Sequence, residues 1–436
     1  MKMISFADRP WLTGTTARLL SPVRVPSVER VRDAFIRLHQ ENPRHPLICK
    51  IDRMAKVWRP VENNDWDRHL DRIVGRTVDG DPGAWVRQAL DTADAEIPLR
   101  ISVNNERIGL VASHVLGDDR TIIGILNALI STSDNTGVLL AMPSTSSTKE
   151  ILRICVDYYT GQPANLRRIG SHYRRYIHRM GRPVPVATRP PIRVVGFEFD
   201  NDALSLIAAW RARHAQGTSL SAVLATMLRR ALKDAGVRID EAGFHVLVDG
   251  RRYSSNTHFG NLALPVYLEV PIDSHPRAAG DAFRNLVESA WVVPASVMVA
   301  SKSALAASKD RMRYIIRSAK QAGGTGVASQ DKMMTTGRSD AVVSFSFLRD
   351  VPALAAVPWL AEGDRTYIVG MTPHLTESIS FLLTEIGHVV YGSVSFCDSP
   401  IMSASITEAI SRIHDPIRLL DRASSTDVAK CLEISK

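Results

Sequence analysis

The chain has 436 residues, 45% hydrophobic and 23% charged, with a formal net charge of +9. At roughly 100–200 residues per domain, that length allows two or three domains, or two halves sharing an interface, and a core that needs no staple. Four scattered cysteines (Cys49, Cys155, Cys397 and Cys431) form no CxxC pair, which argues against a structural zinc site or a disulfide framework. They read as free thiols of a reducing compartment. No apolar run reaches the length of a signal peptide or a membrane span, so the expectation is a soluble, cytoplasmic protein.

The first 160 residues read as mixed α and β. Ser27 can cap a helix over Val28–His39, where Val31, Ala34, Phe35 and Leu38 recur at helical spacing. Residues 45–52 read as a strand. Residues 99–104 and 107–115 alternate like paired strands of a hairpin, and an apolar helix follows over residues 121–132. From 161 to 193 the chain turns basic and then proline-rich, with Pro183, Pro185, Pro190 and Pro191 ending any helix. This segment is the expected linker between halves 1–160 and 194–436.

The second half opens with a strand at 194–200. A helix capped by Asn201 or Asp202 follows, then a strongly apolar helix opened by Thr218 or Ser219. Strands are expected at 244–252, 258–270 and 341–348. Two paired strands are expected across 378–398, and an amphipathic helix over Ser403–Leu420 closes the fold.

Between Asp157 and Glu198 there is no acidic residue, while Arg167, Arg168, Arg174, Arg175, Arg179, Arg182, Arg189 and Arg193 crowd the same stretch. Such a cluster attracts a polyanion or forms a solvated basic face. It lacks aromatic interleaving and any nucleic-acid-binding signature, so nucleic acid is not the expected partner.

The segment richest in chemistry is residues 111–119. His114 leaves an apolar strand, and Asp118 opens the turn before a helix. A histidine placed there can present one ring nitrogen to a cleft, and neutral imidazole suits a general base near pH 7. The aspartate can reach back across the turn or hold a basic group that stiffens it. Arg18, Arg251 and Arg252 are the candidate partners. The chain contains no GxSxG nucleophile elbow.

His114-x-x-x-Asp118 between a strand and a helix resembles the HxxxDG motif of the chloramphenicol-acetyltransferase-like superfamily. Residues 248–252 followed by 258–266, with the Gly260-Asn261 step, resemble its "R…GN" strand pair. Residues 342–347 are similar to its "vSNlG" strand, although Asn and Gly are replaced. Tyr391-Gly392, a strand ending at Asp398 and a closing helix complete the order. Three features depart from the pattern. Asp119 stands where the family carries glycine, Ser113 stands where condensation domains carry a first histidine, and the plant DFGWG segment is absent. The free-standing bacterial acyltransferases are therefore the closer branch.

The resemblance implies an α/β fold of two chloramphenicol-acetyltransferase-like sandwich halves, forming a pseudo-dimer with an interdomain tunnel. It implies acyl transfer from acyl-CoA or an acyl carrier protein to an alcohol or amine. His114 would act as base and Asp118 as structural support. No bound cofactor or metal is implied. Ser344 and Ser346, on one strand face, are candidate oxyanion donors. Gly260 and Asn261 are read as shaping the tunnel, and Arg174 and Arg175 as candidates for docking the donor. The two-half plan allows a monomer. Two other readings stand beside this one: a catalytically inactive scaffold, which Asp119 favours, and an amide-forming condensation partner of a peptide synthetase.

Overall fold

The computed structural model describes residues 2–76, 80–130, 148–167, 169, 184–186, 190–254, 260–318, 333–360 and 365–421. Two sheets organise the chain. The N-terminal sheet contains β1 (Thr15–Ser21), β2 (Val74–Arg76), β3 (Leu99–Asn104) and β4 (Arg107–Ser113). The C-terminal sheet contains β5 (Ile192–Phe199), β6 (Gly243–Asp249), β7 (Ala263–Glu269), β8 (Val342–Leu348), β10 (Ser378–Ile386) and β11 (Val389–Cys397). Strand β9 (Thr366–Met371) lies late in the chain but joins the N-terminal sheet, where Met371 pairs with Thr16 and Thr366 with Ser21. The sheet orders are β9-β1-β4-β3-β2 and β7-β6-β8-β10-β11-β5. A cut between 1–160 and 194–436 therefore does not separate the two sheets, because the second half lends a strand to the first.

Local chemistry accounts for most element ends. The Ser27 side chain accepts from Arg30 N at 3.2 Å and opens helix Val28–Glu41. The helix after β5 is capped by Asp200, which accepts from Ala203 N at 2.7 Å, rather than by Asn201 or Asp202. Ser219 caps helix Leu220–Asp234 through Ala222 N at 3.3 Å. The expected strand at 45–52 shortens to Lys50–Asp52, because His45 O accepts from Ile48 N and Cys49 N and holds a turn. The strand expected at 258–270 begins at Ala263. The closing helix starts earlier than expected, at Pro400 behind a Ser399 cap, and ends at Arg412.

Each half buries its own core. One cluster joins Phe35, Leu110, Ile122 and Leu126 with Val369 and Met371 of the visiting strand. The other gathers Leu224, Leu228, Phe244, Phe345, Phe381 and Phe396. Helix Leu220–Asp234 is buried on nearly all sides, including Arg229 and Arg230. Their charges are met by carbonyls. Arg229 Nη1 donates to Val270 O at 2.8 Å and Arg230 Nη1 to Leu419 O at 2.9 Å, which ties the helix to the loops around it.

Arg174 and Arg175, with most of the basic segment, lie outside the described residues. Arg193 is described and approaches Asp398 at 3.9 Å. Among the described residues, no single helix is long and apolar enough to cross a membrane. No group of three or more His, Cys, Asp or Glu among them could hold a metal ion.

Candidate active site

Strand β4 ends at Ser113, and His114 begins a single 3-10 turn over His114–Leu116. The turn is held from the strand side: His114 N donates to Gly14 O at 2.8 Å. Gly14 packs closely on the histidine, since a Cβ there would approach His114 Cβ to 3.1 Å. Gly117 ends the turn at φ +148°, and a Cβ on it would meet Thr121 at 2.6 Å.

Asp118 sits at the centre of a knot that joins the halves. Its carboxylate accepts from Arg251 Nη1 at 2.7 Å and Nη2 at 2.9 Å, a two-pronged pairing. It also accepts from Leu262 N and Ala263 N, both at 3.1 Å. Of the three candidate arginines, Arg251 is thus the partner. Burial works against its charge, but Asp118 and then Asp249 raise its pKa above the ordinary value. Arg251 Nη2 also donates to Gly260 O at 2.9 Å, and Thr121 Oγ1 accepts from Gly260 N at 2.9 Å. Asn261 Nδ2 donates to His114 O at 2.7 Å and to Asp8 Oδ1 at 3.1 Å. Gly260 and Asn261 are not among the residues lining the cavity. Instead they brace the histidine turn from behind.

Arg18 pairs elsewhere. Its side chain is fully buried, and Nη2 donates to Asp119 Oδ1 at 2.8 Å. Asp119 begins helix Asp119–Ile130 and faces the cavity.

The cavity between the halves measures about 590 Å³, within the range of small-molecule sites. His114, Asp118 and Asp119 reach it from the N-terminal half. Its opposite wall is largely the C-terminal sheet, including Leu247, Ser344, Ser346 and Leu382. The cross-strand register aligns His245, Ser344 and Ser380, and Ser344 Oγ donates to Ser380 Oγ at 3.0 Å. Both serines foreseen from sequence thus line the same space as His114, with the Ser344 proton already engaged.

His114 is 7% exposed, and its Nδ1 is buried without a hydrogen-bond partner. Burial lowers its pKa. The nearby Asp119 and Asp118 carboxylates pull back upward but do not cancel the effect. The imidazole is therefore neutral at pH 7, the form that accepts a proton.

No protein-family model and no curated protein matches this sequence. Solved structures do match. The TRI3 trichothecene 15-O-acetyltransferase of Fusarium sporotrichioides superposes with a TM-score of 0.58 at 11% identity, over 97% of this chain and 94% of that one. Polyketide synthase associated protein 5 from Mycobacterium tuberculosis gives 0.54 at 13% identity, over 98% of each chain. The PapA2 acyl transferase gives 0.52 at 15% identity, over 96% and 92%. The fold is chloramphenicol-acetyltransferase-like.

With this chloramphenicol-acetyltransferase-like fold, the absence of a glycine after the aspartate has a local explanation. The left-handed position of the turn falls one residue before Asp118, at Gly117, so position 119 is free to carry a side chain. That side chain is the counter-ion of Arg18. Two aromatic residues of the site gave no sequence signal. Trp11 stacks on His114 at 5.1 Å between ring centroids, and His374 lies 5.6 Å from the same Trp11 ring. Trp11 sits in a 3-10 turn over Arg9–Trp11 and His374 in the loop between β9 and β10, and only the tertiary fold brings them to His114.

Proposed function

We propose that the protein is an acyltransferase. It moves an acyl group from a thioester donor, acyl-CoA or an acyl carrier protein, to a hydroxyl or amine. The observation that carries this reading is the neutral His114 imidazole at the cavity between the halves, on a turn locked by the Asp118–Arg251 pair. Nδ1 is the buried ring nitrogen, which leaves Nε2 to accept the proton. The acceptor then attacks the thioester carbonyl, the C–S bond breaks, and the same imidazole returns the proton to the thiolate. Asp118 orients the turn and exchanges no proton. The donor is a substrate and no resident cofactor is invoked. The acceptor is a small alcohol or amine. The apolar side chains among those lining the cavity, including Trp11, Leu247, Met371 and Leu382, favour an apolar acyl or acceptor group.

Thiol release from acyl-CoAs of increasing chain length, compared between wild type and His114→Ala, tests the reading. Water serves as a slow acceptor. Release selective for one chain length is expected, with a loss of about a hundredfold or more in the variant. Equal release by both proteins would refute the assignment of His114.

A pH prediction follows from the same imidazole. Only its neutral form is a base, and burial lowers its pKa, so kcat/KM should hold on the acid side of neutrality. It should fall only below the ordinary histidine value of about 6.5. A rate lost at or above that value would assign the titration to another group.

A further inference from the structure

The cavity holds a second imidazole that the mechanism above leaves unused. His374 is an exposed side chain lining the same space as His114. Trp11 borders both rings, at centroid distances of 5.1 Å to His114 and 5.6 Å to His374, so the two histidines share one end of the cavity. They leave the same end of the N-terminal sheet, on either flank of β1. His114 follows a strand of the N-terminal sheet, and His374 sits in the crossover from β9 of that sheet to β10 of the other.

That crossover is pinned at both ends. Thr372 N donates to Thr15 O at 2.8 Å, beside the Gly14 that supports His114. Thr376 N donates to Met334 O at 2.9 Å, and the Glu377 carboxylate accepts from Thr336 N at 2.7 Å and Thr376 Oγ1 at 2.8 Å. The His374 ring nitrogens make no hydrogen bond among the described residues. A side chain held on a braced loop, open to a cavity and without a hydrogen bond of its own, is placed to bond what enters. The surrounding protein and then His114 lower its pKa, so at pH 7 it is neutral and carries one N–H.

Acyl transfer makes two simultaneous demands that one imidazole cannot meet. While His114 is taking the acceptor's proton, negative charge develops on the thioester oxygen. Of the two foreseen donors, Ser344 already gives its proton to Ser380, while Ser346 lines the same wall. We infer that His374 is a second catalytic residue, a neutral imidazole that donates its N–H to the thioester carbonyl oxygen as it becomes an oxyanion. The inference rests on the acyltransferase reading above. In the step, the acceptor's oxygen or nitrogen bonds to the carbonyl carbon and its proton goes to His114. The C=O π pair moves to the oxygen facing His374. On collapse the pair returns, the C–S bond breaks, and the thiolate takes the proton from His114. His374 keeps its own proton throughout. A neutral histidine polarising a carbonyl has precedent in enzyme chemistry.

The test compares wild type, His374→Ala, His374→Gln and His114→Ala in thiol release from the acyl-CoA panel, with unfolding midpoints measured alongside. His374→Ala should lose about a hundredfold or more in kcat, with the donor KM within about threefold of wild type. His374→Gln retains an N–H donor near the same place and should recover about tenfold of that loss. Should the glutamine variant recover nothing, the role as donor is overturned. A kcat near wild type in His374→Ala, with His114→Ala inactive, would also overturn the inference while leaving the acyltransferase reading intact. A rise in KM alone would reduce His374 to ground-state binding and overturn it too. No release by wild type from any acyl-CoA, nor from an acyl carrier protein loaded with the same acyl groups, would bring down both readings together.

Discussion

Arg251→Ala is expected to lower the unfolding free energy by about 3–5 kcal/mol and to remove the proposed acyl transfer with it. The variant leaves the Asp118 carboxylate, 7% exposed, facing the empty end of a two-pronged bond. The backbone donors of Leu262 and Ala263 would remain, but no cation would. The loss reaches further than the pair, because Arg251 also holds the Gly260 carbonyl that accepts from Asp118 N at 3.3 Å. The histidine turn would thus loosen from the C-terminal half. Arg251→Lys should recover only part of the stability, since an ammonium cannot make two parallel bonds to one carboxylate. Urea unfolding measures the effect. A cost below about 1 kcal/mol would place the pair with ordinary surface ion pairs and remove its locking role.

The second large effect runs against intuition from the resemblance. Asp119→Gly restores the residue the superfamily carries at this place, yet it should destabilise the protein by about 3–5 kcal/mol. Arg18 is buried at 0% side-chain exposure, and its Nε and Nη1 have no hydrogen-bond partner. Removing Asp119 strands that charge in the core. The double variant Arg18→Met, Asp119→Gly removes both charges and should return close to wild-type stability, because a buried pair can often be replaced by apolar groups at little cost. The difference between single and double variants, read from denaturant midpoints, decides the matter. Equal stability of Asp119→Gly and wild type would show that Arg18 finds water or another acceptor. If the double variant is stable and still turns over thioester, Asp119 is an internal counter-ion rather than a sign of a dead enzyme.

Much of this was legible in the residues. His114 and Asp118 stand out because a strand, a turn and a helix succeed one another between Arg107 and Ile130, and local periodicity reports each. The hairpins and the Ser27 and Ser219 caps follow for the same reason. Choosing among Arg18, Arg251 and Arg252 did not, because the choice depends on where two sheets meet. Both Arg18 and Arg251 turn out to be committed, each to one of two adjacent aspartates. Trp11 and His374 were invisible for a related reason: neither lies in a periodic segment, and they meet only across the fold. The late strand β9 was missed because Thr366–Met371 is six residues long and says nothing about which sheet receives it.

That strand also bears on how the protein is made. Synthesis runs from the N-terminus at about 5–20 residues per second, and domains ordinarily close as they emerge. Here the N-terminal sheet cannot close in that order. Its strand β1 presents an unpaired edge until Met371 has left the ribosome, some 350 residues after Thr16, the residue it pairs with. For that whole interval the nascent chain carries an open hydrogen-bonding ladder, the kind of edge that recruits other strands. A fragment that stops before residue 366 leaves this edge open and is expected to aggregate more readily than the full chain.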